Sequence, residues 1–234
     1  FPDLGLRWAF EMTFVPQDGD FEDAEPDAIL DDHPVQSPAP GYKAAKRGFD
    51  LVFVTLVLLP ATLIVAVVLL ALNPVLNPGP LLYPQKRMGR DCRPFRALKF
   101  RTMTVRGRPL RGPDDPIEAD RITPLGRWLR RSRFDELPQI INVYRGDMSL
   151  IGPRPDYFRH AHHYMRTIPA YRDRHIVRPG ISGLAQVELG YSEGTEATRA
   201  KTLADIDYIR RASLLFDLWI FWRTILTVIR MRGS

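Results

Sequence analysis

"LVFVTLVLLPATLIVAVVLLAL", residues 51–72, carries no charge, and two threonines and Pro60 are its main interruptions. A helix crossing the hydrocarbon core of a bilayer takes about 20 apolar residues, and this stretch matches that length. It is longer than an ordinary buried core helix. It is also too long, and too far along the chain, for the apolar part of a signal peptide. Lys43, Lys46 and Arg47 precede it, and Lys86, Arg87, Arg90, Arg93 and Arg96 follow it. Basic residues favour the cytoplasmic side, and here they stand on both flanks. Pro60, near the midpoint, withholds one backbone hydrogen bond and bends a helix. Two arrangements fit these residues. One is a bilayer span. The other enters, kinks at Pro60 and returns to the same face, at the cost of irregular backbone that must find partners in lipid.

On the N-terminal side the charge inverts. Of 33 Lys and Arg and 27 Asp and Glu, residues 1–42 hold one base, Arg7, and ten acids, which leaves 32 bases, 17 acids and a net +15 for residues 43–234. So basic a body expects an anionic partner: a phosphorylated substrate, anionic lipid or nucleic acid. Residues 16–41 are acidic, rich in proline and poor in large aliphatics, and read as a linker. The apolar "LGLRWAFEMTFV" before them is a candidate docking segment. The chain opens at Phe1, as a fragment or a renumbered chain does. The lone Cys92 rules out an internal disulfide and a multi-cysteine zinc site, and fits a reducing compartment.

On the C-terminal side, "NPVLNPGPLLYP", 73–84, reads as a stiff extended exit. "PFRALKFRTM", 94–103, alternates apolar and basic residues as a strand or hairpin arm does. Residues 105–124 read as a surface loop. Helix is expected to resume over "LGRWLRRSRFDELPQIINVYRGDM", 125–148, with Leu125, Trp128 and Leu129 as its apolar face amid arginines. That face suits a membrane interface or a soluble core. "SLLFDLWIFWRTILTVIRM", 213–231, holds Asp217 and Arg223, which argue against spanning. Trp219 and Trp222 share one side, as in a helix lying on or dipping into a membrane surface. A terminal core helix is the alternative. The expected fold is mainly α with a small β element (α+β). Its parts are an acidic extension (1–42), a membrane helix with its exit (43–85) and a catalytic domain (86–234).

Asp135 and Glu136 lie inside "RRSRFDELPQIINVYRGDMSLIGPRP", 130–155. Neighbours on an α-helix point about 100° apart, so two such carboxylates diverge and suit different tasks, one attacking and one holding a metal. Mg²⁺ takes one or two carboxylates together with substrate phosphate oxygens, and aspartate is a known covalent nucleophile. Arg130, Arg131 and Arg133 would keep both acids ionised and hold phosphates. The plain alternative is a charge-balanced helix turn. "GPRP", 152–155, presents Arg154 between two prolines, a rigid mount for bidentate phosphate recognition, and "VRPG", 177–180, repeats the device with Arg178. Lys99 and Arg101 alternate on the expected strand and point the same way. Structural turns and a solvated edge strand are the bland readings of these features. His160 and His163 stand three apart without a carboxylate at ligand spacing, so zinc is not expected. No glycine-rich phosphate loop or Ser-His-Asp triad is evident.

"KRGFD", "QKRMGRDCRPFRALKFRTM", "DRITPLGRWLRRSRFDELPQIINVYRGDMSLIGPRP", "RPGISGLAQ" and "LADIDYIRRASLLFDLWI" occur in this order. Together, from about Lys46 to Val228, they resemble the bacterial sugar transferases, the monotopic phosphoglycosyl transferases that initiate glycoconjugate synthesis. The resemblance implies transfer of a sugar 1-phosphate from a UDP-sugar to undecaprenyl phosphate, with release of UMP, at the cytoplasmic face of the inner membrane. It implies that Asp135 is the nucleophile and that Glu136 holds Mg²⁺. Lys99, Arg130 and Arg154 would bind phosphate or order the site, and Arg101, Arg178 and Gln186 complete the expected set. Membrane lipid is an expected partner, nucleic acid is not, and homo-oligomerisation stays open. The family's membrane helix is re-entrant and usually broken at Ser-Pro, so the resemblance favours a re-entrant helix broken at Leu59-Pro60. Many members carry Asn-Gly-Arg after the glutamine, whereas this chain reads "QVELGYSEGTEATRAK" with Gly190-Tyr191, so the donor sugar does not carry over. A UDP-sugar hydrolase and a non-catalytic scaffold on anionic lipid are the competing readings.

Overall fold

A computed structural model describes residues 35–104, 112, 115, 118–190 and 194–229. Most of the acidic extension, most of 105–117 and Tyr191 lie outside the described residues. From Pro40 to Leu76 the chain forms one helical run of 37 residues, apolar and long enough to cross a membrane. It consists of α1 (Pro40–Phe53), a π turn (Val54–Leu58) and α2 (Leu59–Leu76). The π turn directly precedes Pro60, which has no N–H to donate, and the Leu59 N–H reaches back five residues to the Val54 carbonyl. The hydroxyls of Thr55 and Thr62 donate to the carbonyls of Leu51 and Leu58, each at 2.7 Å. They add donors on both sides of a proline that withholds one.

One side of this run faces the rest of the protein. Asp50, Val54, Leu69, Asn73 and Asn77 are buried, and Leu58, Leu59, Val65 and Ala66 are half-buried between them. Spacings of three or four residues, some doubled, keep them on one side. Leu56, Leu63, Ile64, Val67, Val68 and Val75 are exposed. The exit is shorter than the sequence suggests. The helix continues through Pro74, whose φ is compatible with it, and the Asn73 amide closes the end on the Gly79 carbonyl at 2.8 Å. Only residues 77–81 separate it from β1 (Leu82–Met88).

β1 and β2 (Pro94–Phe100) form an antiparallel hairpin with Tyr83 opposite Lys99 and Arg87 opposite Phe95. The expected single helix over 125–148 is three pieces. α3 (Pro124–Ser132) is N-capped by the Thr123 hydroxyl, which accepts from Gly126 N–H at 3.0 Å. It ends at Arg133 in the left-handed region (φ 61). A 3-10 turn (Phe134–Gln139) follows and then α4 (Ile140–Arg145). Pro138 keeps the stretch after Arg133 from continuing as α-helix, because it cannot donate to the Phe134 carbonyl four residues back.

β3 (Ser149–Ile151) pairs in parallel with β4 (Gly180–Ser182). A Cβ on Gly180 would stand 2.2 Å from the Gly152 nitrogen. Only glycine therefore lets the two proline-arginine loops meet here. α5 (Phe158–Thr167), α6 (Leu184–Glu188), α7 (Thr195–Arg210) and α8 (Leu214–Ile229) are the remaining helices of four or more residues among the described residues. Among the described residues the fold is mostly helical with two small sheets. The main core joins Val54, Ile140, Val143, Met148, Ile151, Leu184, Tyr208 and Ile220. A second cluster joins Leu69 to Phe100, Leu125 and Leu129.

α8 is inverted relative to a helix on a soluble surface. Asp217 is buried, and Leu215, Leu218, Trp219 and Trp222 are exposed. Asp217 accepts from the hydroxyls of Tyr42 at 2.6 Å and Tyr208 at 2.7 Å and from Lys46 at 2.8 Å. One carboxylate thus ties α1, α7 and α8 together.

Candidate active site

Left-handed Arg133 turns the chain so that Asp135 and Glu136 start a 3-10 turn rather than continue an α-helix. The two carboxylates do not diverge as an α-helix requires. Both reach Lys99, whose Nζ is 2.7 Å from Glu136 Oε1 and 3.9 Å from Asp135 Oδ2. Both are nearly closed to solvent, Asp135 at 7% exposure and Glu136 at 5%. Arg154 approaches Glu136 as a fork. Its Nη1 donates to Oε2 at 3.0 Å and its Nη2 to Oε1. Arg154 Nη1 also donates to the Ile181 carbonyl at 3.1 Å, and Arg133 Nη1 lies 3.5 Å from Glu136 Oε1.

These partners split the acids. For Glu136, burial pushes its carboxyl up, but Arg154, Lys99 and Arg133 outweigh it and hold it well below the usual range. Burial raises Asp135, Lys99 opposes and Glu136 adds to the rise. Burial lowers Lys99 against the pull of both acids. Asp135 Oδ1 is buried and has no hydrogen-bond partner among the described residues. The pocket therefore holds one fully compensated carboxylate and one with an unused oxygen, a disposition suited to attack on an electrophile.

Arg130 sits beside this pair. Its Nε donates to Thr102 Oγ1 at 3.0 Å, and its charge acts on Asp135. Arg101 is engaged elsewhere: its guanidinium donates to the Pro80 carbonyl (2.7 Å), Asn77 Oδ1 (2.9 Å) and the Met103 carbonyl (3.1 Å). β2 ends at Phe100, so the alternation that aligned Arg101 with Lys99 does not hold, and Arg101 fastens the exit of the long apolar helix to the hairpin. Arg178 Nε donates to the Gly146 carbonyl at 2.9 Å, beside Arg47, at the C-terminal end of α4. There a cation complements the helix terminus. Gln186 is buried in α6 with Oε1 lacking a hydrogen-bond partner. His160 and His163 pack edge-on against tyrosines.

Residues 41–231 match the family model described as bacterial sugar transferase. The chain belongs to the bacterial sugar transferase family. It is 41% identical over 200 residues to the UDP-N-acetylgalactosamine-undecaprenyl-phosphate N-acetylgalactosaminephosphotransferase of Aeromonas hydrophila, covering 84% of this chain and 46% of that protein. It is 47% identical over 154 residues to the UDP-glucose:undecaprenyl-phosphate glucose-1-phosphate transferase of Caulobacter vibrioides, covering 64% and 57%. It is 36% identical over 191 residues to the exopolysaccharide production protein PSS of Rhizobium leguminosarum bv. phaseoli, covering 78% and 94%. The chain thus spans about half the length of the first two relatives and nearly all of the third.

In this bacterial sugar transferase a supporting layer escaped the sequence reading. Arg174 is buried and donates to the Arg154 carbonyl at 2.8 Å and to Asp156, and its Nη2 lies 2.5 Å from Asp205 Oδ2. Tyr171 donates to Asp156 at 2.7 Å. Arg87 Nη1 donates to the Pro155 carbonyl. These bonds grip Arg154 at its carbonyl and the two residues that follow it. Asn142 takes Leu98 N–H on Oδ1 at 3.0 Å and gives Nδ2 to the Arg96 carbonyl at 2.8 Å, fixing β2 and hence Lys99. The signal for Asp156 was its place directly after "GPRP". Arg174 and Asp205 are far apart in sequence, and only the packing of α7 brings them together.

Proposed function

We propose that this chain transfers a sugar 1-phosphate from a UDP-sugar to undecaprenyl phosphate at a membrane surface, releasing UMP. The activities for which the Aeromonas and Caulobacter relatives are named support the reaction class. The observation that carries it is the unpartnered Asp135 Oδ1 in a buried pocket walled by cations. An Asp135 oxygen forms a bond to the donor's β-phosphorus as the bond from that phosphorus to the α–β bridging oxygen breaks. UMP leaves with that oxygen. An oxygen of undecaprenyl phosphate then bonds to the same phosphorus as the Asp135–phosphorus bond breaks, which restores the carboxylate. Lys99 and Arg130 stand where they can offset charge on the transferring phosphoryl group. Arg154 keeps Glu136 ionised and fixed.

Both Glu136 oxygens accept from Arg154 and one also from Lys99, so Mg²⁺ bound there would take the place of one of these donors. A hard cation that completes its shell with phosphate oxygens needs no larger cluster of protein ligands. Glu136 would hold it, and bound Mg²⁺ would neutralise diphosphate charge.

We read the helical run as re-entrant. Straight, 37 residues would measure about 55 Å, well beyond a hydrocarbon core of about 30 Å. Residues on both sides of Pro60 pack on the same domain: Val54, Leu58 and Leu59 on one cluster, Val65, Ala66 and Leu69 on another. Buried residues recur along the run from Asp50 to Asn73. This supports a protein seated on the cytoplasmic face of the inner membrane. After Cys92→Ser, single cysteines at Ser37 and Arg93 should both label from the cytoplasm. A periplasmic label at either end rejects the arrangement.

The reaction is tested by incubating the protein with Mg²⁺, undecaprenyl phosphate and a panel of UDP-sugars. One or more donors should release UMP, and Asp135→Asn should release none. Activity retained in Asp135→Asn, or free sugar phosphate formed without acceptor, overturns the reading.

A further inference from the structure

Cross-strand partners in an antiparallel hairpin share a face, and residues two apart on a strand share it too. Tyr83 is the partner of Lys99, so Tyr83, Gln85 and Arg87 line the face from which Lys99 reaches Asp135 and Glu136. Gln85 Oε1 accepts from Arg87 Nε at 3.0 Å and Nη2 at 2.8 Å, which lays the guanidinium along the strand. Arg87 Nη1 donates to the Pro155 carbonyl, one residue beyond Arg154. The fields of Arg87 and Arg154 both act on Lys99, and those of Arg87, Arg121 and Tyr157 act on Tyr83. An aromatic ring that is 42% exposed thus adjoins a row of cations leading to the buried carboxylates. Tyr83 has no part in the chemistry derived for Asp135, and Gln85 and Arg87 enter it only through the bond to the Pro155 carbonyl.

We propose that the Tyr83–Gln85–Arg87 face of β1 is the docking surface for the donor's nucleoside diphosphate, with the base on Tyr83 and the diphosphate running past Arg87 towards Lys99. A nucleoside diphosphate presents a planar π face at one end and two phosphates at the other, and this strand presents a ring at one end and guanidinium and ammonium groups after it. Stacking on a tyrosine tolerates any base, so Tyr83 supplies affinity for the nucleotide rather than choice among bases. Gln85 acts by positioning Arg87. The proposal rests on the transfer reading for its substrate but assigns residues that reading does not use.

The test uses the full chain in detergent or vesicles. UMP release is measured against donor concentration at saturating acceptor, and against acceptor concentration at saturating donor. Tyr83→Ala should raise the donor KM roughly tenfold or more, leave the acceptor KM within twofold and weaken inhibition by UMP but not by inorganic pyrophosphate. Tyr83→Phe, which keeps the ring, should retain the donor KM within about threefold. Gln85→Ala should weaken inhibition by both UMP and pyrophosphate. The proposal is overturned if Tyr83→Ala leaves the donor KM and UMP inhibition within twofold, or if donor and acceptor KM rise together. Direct UDP binding by calorimetry keeps the two readings separate. UDP binding lost in Tyr83→Ala and kept in Tyr83→Phe supports the docking surface even if wild type transfers nothing, and equal binding by all three refutes it even if transfer is observed.

Discussion

Arg154 meets Glu136 with both ends of its guanidinium, Nη1 on Oε2 at 3.0 Å and Nη2 on Oε1. Pro153 and Pro155 stiffen the backbone that presents it, and Arg174 holds its carbonyl from behind. Hydrogen bonds to charged groups contribute about 1.5–3 kcal/mol each, and a lysine cannot reproduce the fork. Arg154→Lys should therefore lower UMP release by roughly tenfold to a hundredfold with little change in fold. Arg154→Ala should be worse, because Glu136 loses its largest favourable partner and shifts towards the neutral form. Initial rates and circular dichroism on the same preparations check this. Wild-type rates in Arg154→Lys would show that the fork is dispensable.

The unequal state of Asp135 and Glu136 predicts a trapped species. Without acceptor, wild type given donor should gain the mass of a sugar phosphate on the peptide containing Asp135, and Asp135→Asn should gain none. Glu136→Gln should keep the fold and lose most of the adduct, since a neutral amide holds neither Lys99 nor Arg154 in place. The pH profile follows from the same shifts. Burial raises Asp135, so activity should fall on the acid side at a pH above the ordinary aspartate value of about 3.9. Burial lowers Lys99, so the alkaline fall should come below the ordinary lysine value of about 10.4. An adduct on any other residue, or an acid limb near 3.9, contradicts the assignment.

Legibility from the sequence followed the range of the forces involved. The long apolar helix was readable because it depends only on consecutive residues, and Pro60 marked the place near which the π turn forms. The hairpin arm 94–103 was readable from alternation, but its partner β1 was hidden by Pro84 and the proline-rich exit. Asp135, Glu136, Lys99 and Arg154 were legible as a set, and the structure joins them. Arg101 and Arg178 rest on backbone carbonyls apart from that set; in sequence a basic residue in a strand or a turn looks alike whether it meets a phosphate or a carbonyl. The break at Arg133 was missed because a left-handed arginine has no local signature, whereas Pro138 was visible and underweighted. The Arg174–Asp205 contact spans 31 positions and depends on how α7 docks.

Asp205 and His175 predict opposing pH effects on stability. Burial, partly offset by Arg174, raises the Asp205 carboxyl to about 6. An acid raised above its unfolded value contributes stability that is full below about 4 and is lost as the pH rises through about 6. His175 is lowered to about 3, first by burial and then by Arg174. It contributes stability present above its unfolded value near 6.5 and lost as the pH falls towards 3. The two slopes oppose each other between pH 4 and 6.5, so wild type conceals both. Asp205→Asn removes one of them. Its melting temperature, measured against wild type from pH 4.5 to 7.5, should show the larger deficit at the acid end. A pH-independent difference would mean that Asp205 does not titrate in this window.

The inverted α8 makes two neighbouring residues answer to different assays. Asp217 faces inward and receives Tyr42, Tyr208 and Lys46, whereas Leu218 is exposed beside Trp219 and Trp222. Removing one partner of a buried ion pair costs about 3–5 kcal/mol, because the other charge is left uncompensated. Asp217→Ala should therefore lower the denaturation midpoint in detergent markedly and loosen α1, while Leu218→Lys leaves that midpoint nearly unchanged. In vesicle flotation the order reverses. Leu218→Lys places a charge on the apolar face and should weaken binding to neutral vesicles, whereas the folded fraction of Asp217→Ala should still bind. A soluble-core α8 would give the opposite pattern in both assays, with Leu218→Lys unfolding the protein and flotation indifferent to it.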